Sequence, residues 1–124
     1  MTVDRQDYTE KQRIIQELVP GKQITLAHII ANPDEILYRK LGLDPTVDYS
    51  HSAIGVVTMT PAEYAIIAAD LAIKKSAAQL GFVDRFSGTL IVTGLVSEVE
   101  ASLAAVTEYA EKTLGFKICP ITKT

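Results

Sequence analysis

Apolar side chains recur along this chain with two different periods, and the period predicts where strands and helices lie. Residues 23–31 are mostly apolar or β-branched, which is typical of a strand buried on at least one face. The positions expected to share one side of that strand are Ile24, Leu26, His28 and Ile30. Similar runs follow along the chain, so four strands are predicted, at residues 23–31, 53–59, 80–84 and 89–93.

Three other segments carry apolar residues three or four positions apart, which is the spacing of a helix with one apolar side. Each segment follows a residue that can cap a helix, with Glu three positions later, which is the pattern of a capping box. The predicted N-caps are Asn32, Thr60 and Ser97, and the helices are expected to end near Leu41, Ala78 and Gly115. The predicted apolar stripe of the second helix is Tyr64, Ile67, Ala68, Leu71 and Ala72. That of the third is Val99, Leu103, Val106, Ala110 and Leu114.

The order of these elements predicts one α/β domain, an α+β sandwich in which helices pack on a small antiparallel sheet. A length of 124 residues suits one core rather than two. Residues 13–19 predict a further short strand at the start of this domain, which spans residues 13–124. Residues 1–12 are polar and charged, which is typical of a flexible leader. Residues 116–122 predict an extended tail that Pro120 limits to the edge of a sheet.

Charge and composition exclude several classes of partner. The chain has 12 basic and 15 acidic residues and a net charge of −3, which does not suit a nucleic-acid surface. No apolar stretch reaches the length of a membrane span and no targeting signal is visible, so we expect a cytosolic protein without a membrane partner. Because Cys119 is the only cysteine, no intramolecular disulfide can form.

No combination of residues indicates catalysis, so the sequence predicts no catalytic residue, cofactor or metal site, and the protein is not expected to be an enzyme. His28 lies in a predicted strand and is interpreted as a structural, hydrogen-bonded histidine, and His51 as a solvated loop residue. The loop at residues 84–88 is unusual because it places opposite charges, an aromatic ring and a glycine between two strands. From the residues alone we interpret it as a hairpin turn.

Long stretches of the chain resemble the circularly permuted class of bacterial microcompartment (BMC) shell proteins. This class includes the small shell proteins of ethanolamine and propanediol utilisation. The resemblance spans residues 13–124 and is carried by IIQELVPGKQITLAHIIANP (14–33), AIGVVTMTPAE (53–63), AADLAIKK (68–75) and LGFVDRFSGTLIVTG (80–94). It implies that the strand at 23–31 and the short helix after it, which come last in the unpermuted domain, come first here. Permutation is tolerated where the two termini lie close together at the surface.

The resemblance also implies an assembly, a cyclic hexamer that tiles edge to edge around a small central pore. The residues that match the family's pore-lining loop are Arg85, Phe86, Ser87 and Gly88, among which Phe86 would narrow the opening. The residues that match a strand of a six-stranded β-barrel over the pore are Arg13, Ile14, Ile15, Gln16, Glu17 and Leu18. At the hexamer edge Lys74 matches a lysine of the family, whereas Asn32 replaces an arginine. This replacement predicts a tile that depends on other shell proteins.

The implied function is therefore structural, in the shell of a microcompartment in the cytoplasm. The implied partners are further copies of the chain and other shell proteins, with enclosed enzymes as a further candidate. The element order by itself leaves one alternative open, a ferredoxin-like oligomeric regulatory module that binds a small metabolite.

Overall fold

One mixed sheet with helices on both faces makes up the described part of the chain. The computed structural model describes residues 21–124. The strands are β1 (Gln23–Ile30), β2 (Ala53–Thr60), β3 (Gln79–Asp84), β4 (Thr89–Gly94) and β5 (Thr122–Lys123). The helices are α1 (Glu35–Lys40), α2 (Tyr64–Lys75) and α3 (Val96–Lys112). The predicted α/β class is confirmed.

The strands lie in the order β3-β4-β2-β1-β5. The first three neighbouring pairs are antiparallel, as predicted, whereas the short β5 runs parallel to β1. The C-terminal tail therefore occupies a sheet edge, which is the place that Pro120 allows. The ring of His28 lies between the hydroxyls of Thr122 and Thr124, at 2.6 and 2.9 Å, which confirms its structural role.

Two apolar clusters lie on opposite faces of the sheet, because successive residues of a strand point to opposite sides. Helices α2 and α3 cover the larger cluster, whose fully buried members include Val57, Leu90 and Leu103. On the other face Tyr38 of α1 and the following Leu43 cover a smaller cluster. These layers leave the two ends of the sheet free to carry loops.

The helices begin at residues other than the predicted N-caps. Asp34 rather than Asn32 caps α1, since its carboxylate accepts a hydrogen bond from the backbone N–H of Ile36 at 3.0 Å. Thr60 belongs to β2, where it pairs with Gln23, and α2 begins only at Tyr64. Strand pairing has extended β2 across the position that the local pattern assigned to a cap.

The prediction that Ser97 caps the third helix is also wrong, because α3 begins at Val96 and Ser97 lies inside it. The carboxylate of Glu98 accepts a hydrogen bond from the backbone N–H of Leu95 at 2.9 Å, and Leu95 is the N-cap residue. The acidic residue of a capping box is therefore present, but it belongs to a box displaced by two residues. The predicted apolar stripe of α3 is largely confirmed, with Val99, Leu103, Val106 and Ala110 buried.

A bulge in β1 changes which side chains share a face. The pairing with β2 shifts between Ile24 and Leu26, so that Ile24 packs in the larger cluster together with Ala27 and Ile29. Leu26, His28 and Ile30 point to the other face. The prediction that Ile24 shares a face with these three is therefore wrong, since an inserted residue reverses the alternation.

Candidate functional site

The turn between β3 and β4, residues 84–88, forms the most exposed apolar feature of the described chain. The side chain of Phe86 is 80% exposed. The guanidinium carbon of Arg85 lies 4.9 Å from the centre of the Phe86 ring, which is cation–π distance. A large aromatic ring held in water by a tight turn suggests that this surface faces something other than its own domain.

Backbone contacts fix this turn to the neighbouring strand. The N–H of Gly88 donates to the carbonyl of Asp84 at 2.9 Å, which closes the turn. The carbonyl of Gly88 in turn accepts from the N–H of Met59 in β2, also at 2.9 Å. Gly88 has φ of 76°, in the left-handed region that glycine adopts without strain. The turn is therefore rigid at its base while Phe86 projects from its tip.

The carboxylate of Asp84 stabilises the turn from within. Its Oδ1 accepts a hydrogen bond from the backbone N–H of Phe86 at 2.9 Å. This bond, with a smaller contribution from Ser87, lowers the pKa of Asp84 below its ordinary value. The turn consequently carries both an ionised Asp84 and a cationic Arg85, so it has no net charge at neutral pH.

Strand pairing places the start of β1 at the same end of the sheet as this turn. Gln23 pairs with Thr60, while Met59, next to Thr60, binds Gly88. We call this the turn end of the sheet. The chain before Gly21 therefore joins the described domain at the turn end. The predicted barrel residues 13–18 and the leader 1–12 lie outside the described residues.

The two predicted edge residues lie at the opposite end of the sheet. Asn32 follows Ile30, whose partner Ile54 is near the start of β2. Lys74 is near the C-terminus of α2, shortly before β3 begins at Gln79. Both side chains are exposed, and the ammonium group of Lys74 lies 2.9 Å from the carboxylate of Asp70. The predicted pore and edge residues are thus separated along the length of the strands.

Helix α2 carries a second exposed apolar surface, which the spacing of apolar residues in the sequence did not predict. This helix buries four alanines, namely Ala65, Ala68, Ala69 and Ala72. Its large side chains Ile66, Ile67 and Ile73 are exposed instead, although Ile67 was predicted to face the core. The run of small residues in the sequence was the available signal, because alanines let a helix approach a sheet closely.

Residues 21–124 contain neither a membrane-spanning helix nor a cluster of metal ligands. No helix in this range is long and apolar enough to cross a membrane. The same range holds no group of three or more His, Cys, Asp or Glu side chains placed to bind a metal ion.

Comparison with known proteins relates this geometry to a family. The family model of the BMC domain matches residues 53–122. This chain belongs to the BMC domain family. The shell protein PduU of Salmonella typhimurium is 50% identical over 122 residues, which cover 98% of this chain and all of PduU. The shell protein CutR of Streptococcus intermedius is 52% identical over 111 residues, covering 90% of this chain and 91% of CutR.

Solved structures agree with this assignment to the BMC domain. A structure described as a flat hexamer of CutR is 50% identical, with a TM-score of 0.77, and covers 91% of this chain and all of that chain. A second, described as a CutR screw, is 48% identical with a TM-score of 0.74 and covers 85% of this chain and all of that one. Members of this family are structural shell proteins, as the resemblance implied. None of the comparisons supports the alternative of a metabolite-binding regulatory module.

The matched range of the BMC domain begins at Ala53, within the sheet rather than before it. Strand β1 and helix α1 precede that range, yet β1 pairs along β2 near the centre of the sheet. A strand that completes the domain therefore comes from outside the span of the family model. The circular permutation of this domain stays a prediction.

Proposed function

We propose that this BMC domain forms a cyclic hexamer whose narrow central opening is covered by its own N-terminal segment. In this hexamer the turn at residues 84–88 borders the six-fold axis and residues 13–18 form one strand of a six-stranded barrel above it. The role is structural, as a tile in the shell of a cytoplasmic microcompartment, alongside other shell proteins and without catalysis of its own.

The observation that carries this proposal is the shared position of the turn and the chain entry. The pairing of Gln23 with Thr60 and the bond between Met59 and Gly88 bring them to one end of the sheet. If the turn borders the axis, the preceding residues of all six copies start close to that axis. A short segment can then reach its five symmetry mates without crossing the domain. Closing such strands into a barrel removes their exposed edges.

The chemistry of the turn supports a closed opening rather than a conduit. Cyclic symmetry would bring six Phe86 rings, each 80% exposed in the single chain, towards one axis. Apolar constrictions exclude water and so resist the passage of polar solutes. The Asp84 and Arg85 charges cancel within each copy, so the ring of turns would present no strong selective field.

Edge contacts would involve the other end of the sheet. Lys74 and Asn32 are exposed there, away from the turn, which is where a neighbouring hexamer would lie. We propose Lys74 as an edge contact and Asn32 as the position at which this contact is weakened. A tile of this kind would enter a shell next to other shell proteins with complementary edges.

Deletion of residues 1–19 tests the proposal. We expect the shortened protein to remain a hexamer, with density above the axial opening lost in a cryo-EM map viewed along the six-fold axis. Deletion of residues 1–12 alone is the matched control and should leave that density in place. A wild-type protein that is not hexameric by light scattering, or axial density that survives the longer deletion, would contradict the proposal.

A further inference from the structure

Residues 21–124 cover only half of one face of the sheet. The strand register aligns side chains in rows across this face, beginning with Ile30, Ile54 and Thr93 at the end opposite the turn. Helix α1 and Leu43 cover that region, and Ile54 is fully buried. The next rows run through Val56 and then Thr58, towards the turn end. Cover therefore decreases along the strands in the direction of residues 84–88.

The uncovered part forms a patch with little charge. We define the sheet-face patch by Leu26, Val56, Thr58, Phe82 and Thr89, which the register places on this face. Leu26 and Phe82 are 42% and 43% exposed. The hydroxyl of Thr58 lies 2.6 Å from that of Thr25, so it is already paired within the sheet. A sheet face directed at water ordinarily carries polar side chains, so this composition points to cover by protein.

The nearest ionisable groups do not make this patch a site for a charged ligand. His28 lies in the adjoining row, but both of its ring nitrogens contact threonine hydroxyls of the C-terminal tail. The carboxylate of Asp84 accepts from the backbone of its own turn. The patch therefore offers mainly apolar contact.

Helix α2 presents a second and different apolar surface. We define the α2 outer face by Ile66 and Ile73, which are 51% and 47% exposed. Ile66 and Ile73 lie two turns apart and so share one side of the helix. A surface helix ordinarily turns its large apolar residues towards the core. Here alanines take that place, so the helix exposes the side chains with the most area to bury.

We infer that the sheet-face patch of one copy packs against the α2 outer face of the next copy around the ring. The inference rests on the proposed hexamer. A closed ring of more than two copies needs two different, complementary surfaces on each chain, because its interfaces are heterologous. The patch adjoins the turn that we place at the axis, where copies converge. Helix α2 starts at that same end, soon after Thr60.

Single substitutions test each surface separately. Phe82→Lys on the sheet-face patch and Ile66→Lys on the α2 outer face should each convert the hexamer into a folded monomer of 13.5 kDa in light scattering. The matched control is Ile36→Lys, an exposed isoleucine on α1 outside both surfaces, which should leave the hexamer intact. Circular dichroism checks folding. If either lysine variant fails to fold, Phe82→Ser or Ile66→Ser replaces it and must show the same loss of the ring.

A mixture of the two variants tests whether the surfaces meet each other. Each variant keeps one intact surface, so the mixture should give a 1:1 dimer of twice the chain mass and no larger ring. Hexamers that persist in both single variants would overturn the inference while leaving the proposed ring standing. Two monomers that fail to form the mixed dimer would overturn the pairing of these surfaces. A wild-type chain that is itself monomeric would instead contradict the proposed function.

Discussion

The fold leaves no room for a side chain at Gly88 in the turn. A Cβ atom built on Gly88 would lie 2.2 Å from the carbonyl oxygen of Met59. That oxygen belongs to the backbone of a central strand, so it cannot move aside as a flexible side chain could. The left-handed φ and this contact both require glycine, but only the φ follows from a hairpin pattern in the sequence.

Gly88→Ala is therefore expected to lower the free energy of unfolding by about 3 kcal/mol or more, because a left-handed alanine and a steric contact add together. Gly42→Ala is the control, since Gly42 has φ of 73° but no heavy atom within 4 Å of its built Cβ. That change should cost only about 1 kcal/mol. Denaturant unfolding at one protein concentration measures both. Equal losses in the two variants would show that the Met59 contact contributes nothing.

At the scale of elements, the C-terminal tail shows how a short segment protects a strand. Ala31 donates its N–H to the carbonyl of Thr124 at 2.8 Å, and Thr124 donates to Ile29 at 2.9 Å. Together with the threonine contacts of His28, these bonds cover the outer edge of β1 near its C-terminus. An uncovered strand edge is a template for pairing with other chains. The tail therefore keeps this edge from unspecific association.

Deletion of residues 121–124 should lower the free energy of unfolding by about 4 kcal/mol, since about four hydrogen bonds of roughly 1 kcal/mol each are lost. It should also increase aggregation in light scattering. Lys123→Ala is the matched control, because it removes only the exposed ion pair with Glu100 at 2.6 Å, which contributes about 0.5 kcal/mol. An unfolding midpoint unchanged by the deletion would contradict this role of the tail.

At the scale of the whole molecule, the two ends of the sheet have different tasks in the proposed assembly. The turn and the start of β1 lie at one end, and Lys74 and Asn32 lie at the other. Helix α2 connects the two ends, with α3 returning from Gly94 towards Lys117 at the turn end. A domain with two such ends can face an axis and a neighbouring tile at once.

Lys74→Ala should weaken the lateral association of hexamers without changing the hexamer mass. Each exposed charged contact contributes about 1 kcal/mol and the substitution removes it from all six copies, so the concentration for sheet formation should rise at least roughly fivefold. Sedimentation and negative-stain electron microscopy measure this threshold. Lys112→Ala is the control, because Lys112 forms a similar exposed pair with Glu108 but lies near the turn end. An equal effect of the two substitutions would exclude a specific edge role for Lys74.

The class of fold, the four main strands, the apolar side of α3 and the family could all be predicted from the sequence. The strands and the apolar side of α3 follow from local periodicity. The family follows from long continuous matches along the chain. Helix starts were less predictable: Thr60 has the chemistry of a cap, yet pairing with Gln23 holds it in β2. A helix cap depends on hydrogen bonds between residues close together in sequence. Pairing with a strand that is distant in sequence outweighs those bonds at Thr60.

Which side chains remain exposed depends instead on tertiary packing. The bulge in β1 turns Ile24 towards the helices and leaves Leu26 on the open face, and close packing of alanines turns Ile66 and Ile73 outwards. Both outcomes depend on how closely a helix or a strand approaches its neighbour, which no local pattern encodes. The same holds for the turn and the start of β1, which strand register alone brings to one end of the sheet.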